Sequence, residues 1–150
     1  MLEVVKVRWF GRIWCTETLW VKISAMKSIE EIITDLSDGA LIQASAFDGA
    51  DLDALLDQRD SGDFEDDWIC AAEDVQAHWD DFADANAIEA KIDEVRELAF
   101  KKCFEVAEES EISGYVSDDF ELLAKASAMA LESPYLEQMM KVYSNGGIPH

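Results

Sequence analysis

Trp68, Ala72, Val75, Trp79 and Phe82 recur at intervals of four, three, four and three residues, the spacing that lines side chains along one face of an α-helix. The pattern predicts a helix over about 65–84. Ile88, Ile92, Val95, Ala99, Cys103 and Val106 repeat it, with Phe100 and Phe104 widening the apolar face, and Ser113-Gly114 is expected just beyond the end of this second long helix. Two apolar stripes of this length demand partners, so the centre of the chain reads as part of a helical bundle.

Other signals fill in the flanks. Val5, Val7 and Trp9 alternate with Lys6 and Arg8, and Leu19, Val21 and Ile23 alternate with Trp20 and Lys22, as half-buried strands do. Strands are therefore expected over about 3–10 and 18–24, paired antiparallel. Ser28-Ile29-Glu30-Glu31 is a capping box, in which hydroxyl and carboxylate satisfy each other's orphan amides. It predicts a helix over about 29–37 that ends at Gly39. Residues 40–47 fit a third strand or a short helix, because periodicity does not separate the two in so short an apolar run. Asp51 to Gln58 reads as a short helix and Asp60 to Asp63 as a loop. Ser117-Asp118-Asp119 offers N-caps and first-turn charge for a helix through Leu131. Ser133-Pro134 opens a last helix that stops at Asn145-Gly146-Gly147. The expected fold is α+β, a short N-terminal antiparallel sheet followed by a predominantly α-helical bundle, in one domain over residues 1–150 with no repeat and no linker.

Charge is the abnormal property. A net charge of -21 is large for 150 residues, and its self-repulsion opposes the compact state. Nearly half the residues are hydrophobic and 5 are Trp, which is too apolar for a disordered acidic tail. The negative charge is concentrated: Asp48 to Glu94 holds 17 acidic residues against Arg59 and Lys91, whereas residues 1–27 carry five basic residues against Glu3 and Glu17. Three widely spaced cysteines, Cys15, Cys70 and Cys103, indicate neither a disulfide framework nor a zinc ribbon, and read as reduced, mostly buried thiols. The N-terminus lacks a signal-peptide pattern and no apolar run is long enough to span a membrane. A cytoplasmic location is expected.

Chemistry-bearing motifs are few. Cys70, Asp74, His78 and Asp81 share a helix face, but they are spread over about 16 Å of helix and cannot converge on one ion. They read as a solvated face, with an enzyme built on an Asp74/His78/Asp81 metal site as the remote alternative. Residues 57–65 suggest a calcium loop only faintly, since Arg59 occupies a ligand position and the bidentate Glu is missing. No nucleophile elbow, phosphate loop, dinucleotide fingerprint or metalloprotease helix is present, and only His78 and His150 offer an imidazole base. The reading is of a non-catalytic protein without a cofactor. So negative a surface repels phosphates, so direct binding of nucleic acid is disfavoured as well.

What remains is the acidic array itself, whose bland interpretation is a solubilising surface. The sharper one is a carboxylate surface for a basic protein, accelerating encounter and selecting the partner by sign. Asp57, Asp60, Asp63, Glu65, Asp66, Asp67, Asp74, Asp81 and Asp84 are the candidate partner-binding residues. Trp68, Trp79 and Trp20 would add anchors if exposed, but Trp68 and Trp79 lie on the apolar stripe and are expected in the core. This small, very acidic, aromatic-rich chain, with its charge run from Asp48 to Glu94 and no catalytic motif, resembles the immunity proteins that bacteria pair with nuclease toxins. The resemblance implies an inhibitor that binds one toxin and sets acidic side chains against its nucleic-acid site. The runner-up is a DNA mimic of the anti-restriction or anti-CRISPR kind, and a plain adaptor subunit is a further alternative.

Overall fold

The computed structural model describes residues 26–150. Its α-helices are α1 (Ile29–Ser37), α2 (Leu52–Arg59), α3 (Gly62–Asp80), α4 (Ala85–Ala107), α5 (Ser110–Ala128) and α6 (Pro134–Ser144), with one 3-10 turn at Ala44–Ala46. The described residues hold no strand, so the α+β expectation is overturned in favour of an all-α architecture. The two strands expected over 3–10 and 18–24 lie outside the described residues. Residues 40–47, open between strand and helix, form bends and the 3-10 turn and bury only Leu41 and Ile42.

Local chemistry accounts for where most helices begin. In the capping box of α1 the Glu31 amide donates to Ser28 Oγ at 3.2 Å and the Ser28 amide donates to Glu31 Oε2 at 2.8 Å. Asp51 caps α2 through the Ala54 amide at 3.1 Å. Ser133 caps α6, with Pro134 as its first residue, where a missing N–H costs nothing. Gly62 takes a φ of +62°, a left-handed conformation open to glycine without strain, and the chain passes from α2 into α3 with only Asp60 and Ser61 between them.

The expected break at Ser113-Gly114 does not occur, nor does a helix start at Ser117. The turn comes earlier, at Glu108, which adopts φ +53° without being glycine, and Glu109 caps α5 by accepting from the Ile112 amide at 2.6 Å. Ser113, Gly114 and Ser117 lie inside α5 instead. Ser113 and Ser117 are buried and the Ser117 hydroxyl donates to the Arg96 carbonyl of α4 at 3.0 Å, whereas a side chain at Gly114 would meet open space.

The antiparallel α4/α5 hairpin is the backbone of the fold. α1 crosses one side of it, where Lys91 pairs with Glu30 and the Ser127 hydroxyl reaches the Lys27 carbonyl at 2.7 Å. α3 and α6 pack against α5 on the other side. Val95, Ala99 and Cys103 of α4 meet Ile112, Val116, Phe120 and Leu123 of α5 in a fully buried centre. Phe100 and Phe104 depart from expectation: they do not widen the buried face but stack on each other, ring centroids 6.2 Å apart, on the exposed side of α4. Of the cysteines described, Cys103 is buried and Cys70 exposed, both free.

Candidate functional site

The carboxylates between Asp57 and Asp84 are displayed by α2, α3 and the turns at their ends. The apolar line of α3, through Phe64, Trp68, Ala72, Val75 and Trp79, faces the core. Helical periodicity then forces Asp63, Asp67, Asp74 and Asp81 into a row on the opposite side, with Asp66, Glu73 and Asp80 beside it at seven-residue spacing. All nine residues singled out in the sequence, Asp57, Asp60, Asp63, Glu65, Asp66, Asp67, Asp74, Asp81 and Asp84, are solvent-exposed.

Ion pairs are concentrated away from this ridge, although Glu89, Asp93 and Glu94 of α4 and Glu111 of α5 have no lysine or arginine partner among the described residues either. On α4 and α5, Glu97 pairs with Lys101, Glu105 with Lys102, Asp118 with Arg96, and Glu121 with both Arg96 and Lys125. Among the described residues only one of the nine ridge carboxylates has a basic neighbour in ion-pair range: Asp74, whose carboxylate is 3.5 Å from His78 Nδ1. That ring nitrogen also lies 2.8 Å from the Asp74 carbonyl, so the contact is local to one helical turn. No group of three or more His, Cys, Asp or Glu among the described residues is arranged to hold a metal ion.

The ridge is held in place by a buried polar cluster invisible in the linear pattern. Arg59, the last residue of α2, is 5% exposed, and Asp119, in the middle of α5, is fully buried. Arg59 Nη1 and Nη2 donate to the two Asp119 oxygens at 3.0 and 2.8 Å, a bidentate pair, and Nη1 also reaches the Pro149 carbonyl at 2.8 Å. Trp68 Nε1 of α3 donates to Asp119 at 2.8 Å and the Tyr143 hydroxyl of α6 at 2.5 Å, so each carboxylate oxygen accepts two hydrogen bonds. The guanidinium carbon also lies 4.9 Å from the Phe64 ring centroid and 5.3 Å from that of Tyr115. Burial pulls the Arg59 guanidinium down, but the Asp119 charge outweighs it and holds the group above its ordinary value. Burial, then the same carboxylate, pushes the Tyr143 hydroxyl far up. The cation is permanent, the phenol stays protonated, and four helices are tied to one carboxylate.

Sequence reasoning placed Arg59 as a stray cation in an acidic run and Asp119 as an N-terminal charge. Their positions did carry a signal: Asp119 falls on the line of Ile112, Val116, Phe120 and Leu123, where a carboxylate has to find a partner. Trp68 and Trp79 pack, half-buried, against the core as expected, while Trp20 lies outside the described residues.

A family model for immunity protein PIM1 matches residues 31–150. The chain belongs to the PIM1 immunity-protein family. No curated protein matches it. The match takes in the acidic ridge and both members of the Arg59–Asp119 pair. As an immunity protein its partner is a cognate toxin, which accords with a chain whose most distinctive surface is an array of unneutralised charge. Among the described residues of this immunity protein no helix is long and apolar enough to cross a membrane.

Proposed function

We propose that this immunity protein acts in the cytoplasm as a non-catalytic inhibitor, laying the α2/α3 carboxylate ridge into the basic cleft of a nuclease-type toxin and so occupying the path of the nucleic-acid phosphates. The observation that carries the reading is a contrast of degree in pairing: on α4 and α5 Glu97, Glu105, Asp118 and Glu121 are matched by lysine or arginine while Glu89, Asp93, Glu94 and Glu111 are not, whereas all nine ridge carboxylates stand exposed with no lysine or arginine in range among the described residues. A solubilising surface has no need of that segregation. A recognition surface does, because uncompensated charge on one side produces the directional field that steers a basic partner.

A duplex mimic needs carboxylates in two rows that wind as the two phosphate strands do. At about 1.5 Å of rise per residue, carboxylates four to seven positions apart on α3 stand roughly 6 to 10 Å apart along neighbouring straight rows of a single helix, an arrangement that suits a few lysines or arginines of one cleft.

The test is association kinetics with the toxin as ionic strength is raised. Exchanging Asp60, Asp63, Glu65, Asp66 and Asp67 for their amides should lower the association rate and flatten its salt dependence, since screening acts on long-range attraction. An affinity indifferent to salt would overturn the reading. Competition with duplex DNA for several unrelated DNA-binding proteins would instead support mimicry.

A further inference from the structure

Where α3 leaves α2 and passes α5, a cleft of about 230 Å³ opens on the surface beside the Arg59–Asp119 cluster. Its walls are the rings of Phe64, Trp68 and Tyr115, and carboxylates of Asp60, Glu65 and Asp118 surround it. Ile69, 43% exposed and one of the few large apolar side chains turned to solvent, lies at its lip. We propose that this cleft is the anchor point for one arginine side chain projecting from the toxin, an inference that rests on the proposed binding of a basic toxin.

The chemistry fits a guanidinium in three ways. Charge is the first: the cation already in the wall, Arg59, directs both terminal nitrogens to Asp119 and one also to the Pro149 carbonyl, with only its Nε lacking a partner, which leaves three carboxylates around the opening. Asp118 has Arg96 at 3.1 Å on one side, but burial is the largest influence on its carboxyl and holds it above its ordinary value. A carboxylate in that condition gains from a further cation. The second is shape: Arg59 already lies over the Phe64 and Tyr115 rings, so a second flat cation would stack on the aromatic surface that Arg59 leaves free while carboxylates meet its edge in pairs, a combination suited to arginine more than to the compact ammonium of lysine. Ile69 and Phe64 supply the apolar contact that an arginine's methylene stem prefers.

Rigidity is the third. Trp68 is fixed by its bond to Asp119, and the Tyr115 hydroxyl donates to Asp60 at 2.6 Å. The Asp60 contact is also the chief reason the Tyr115 phenol is pushed up to about 12, so the proton stays on tyrosine and the contact persists. Walls that are already set lose little freedom when the guest arrives. The buried cluster thus does two things: it fixes the direction of the ridge, and it preforms a recess at the ridge's inner end.

The experiment uses the full chain and three capped tripeptides, Gly-Arg-Gly, Gly-Lys-Gly and Gly-citrulline-Gly, titrated with amide and indole NMR detection. The arginine peptide should shift the Trp68 indole and the amides of residues 60–69 and 115–118 saturably. Citrulline, equal in shape but neutral, should bind at least roughly ten-fold more weakly, the loss expected for one charge-assisted bond. Glu65→Gln, on the exposed rim, should weaken the arginine peptide by a similar factor, and Glu65→Gln with Asp118→Asn should abolish the shifts. The ridge variant Asp74→Asn/Asp81→Asn should leave them unchanged. Equal shifts along the whole of α3, equal affinity for arginine and citrulline, or no response to the Glu65 variant would each overturn the anchor. If the anchor fails while toxin binding remains salt-sensitive, the ridge reading stands alone; if toxin binding is salt-independent, that reading fails whatever the peptides show.

Discussion

Replacing Asp119 by asparagine probes the cluster most sharply, because the substitution keeps the side chain's shape and removes its charge. Arg59 would remain 5% exposed with its guanidinium paired to a neutral amide. Breaking a buried ion pair from one side costs about 3–5 kcal/mol, since the surviving charge is stranded in a poor solvent. The amide nitrogen must also face one pair of donors, either Arg59 Nη1 with the Tyr143 hydroxyl or Arg59 Nη2 with the Trp68 indole. A buried donor without an acceptor costs about 1–3 kcal/mol. These contributions overlap, and a loss of about 4 kcal/mol is expected from a total stability of about 5–15 kcal/mol. For a chain of this length that lowers the melting midpoint by about 8–16 °C. Urea denaturation followed by far-ultraviolet circular dichroism and by tryptophan fluorescence measures it, the latter reporting on Trp68 among the other indoles. The double variant Arg59→Met/Asp119→Leu strands no charge, but it leaves the Trp68 indole and the Tyr143 hydroxyl without their acceptor, at about 1–3 kcal/mol each, so it should remain well below the parent in stability. A loss below about 1 kcal/mol for Asp119→Asn would refute the account of the cluster as the tie between helices.

Two further stability predictions follow from single contacts. Ser28→Ala removes one half of the capping box on α1 and should cost about 1 kcal/mol, read as a lower urea midpoint at unchanged slope. Burial raises the Cys103 thiol from an ordinary 9.0 to about 11; between those values the unfolded chain has lost the proton and the folded chain retains it, so stability should fall as pH rises through that window, and Cys103→Ala should flatten the decline.

How much could be read without coordinates depended on whether the information was local. The capping box, the stripe from Trp68 to Trp79, and Pro134 at the head of α6 are determined by neighbours within a turn or two, and each stands where the pattern put it. The α4/α5 turn was misplaced because its two determinants mislead. Glu108 enters the left-handed region without glycine's help, and Gly114 sits inside a helix, where it neither ends the element nor meets a close neighbour. The α+β expectation leaned on alternation in residues outside the described structure, and the one ambiguous run inside it, 40–47, curls into a 3-10 turn. Exposure of Asp63, Asp66, Asp67 and Asp74 is foreseeable, since helical phase turns them away from the stripe; Asp57, Asp60 and Asp84 lie outside α3 and Glu65 borders the stripe. The Arg59–Asp119 pair is not foreseeable, because its members are 60 positions apart and only the fold reveals which buried carboxylate meets which cation.

That pair also bears on how a chain with a net charge of -21 sustains a one-sided field. Self-repulsion along α2 and α3 works to splay the two helices away from the bundle, and the ridge has few ion pairs of its own to resist it. The resisting contacts are on the inner face: Arg59 anchors the end of α2 to α5, and Trp68 anchors α3 to the same carboxylate. Neutralising the ridge with local lysines would relieve the repulsion but erase the field, whereas a cation buried behind it holds the helices and is itself cancelled by Asp119. Placing the restraint inside and the charge outside lets stability and recognition draw on different residues. Ridge substitutions should therefore alter toxin association with little effect on folding, whereas Asp119 substitutions should lower stability first and weaken association only through the ridge and recess that this carboxylate holds in place.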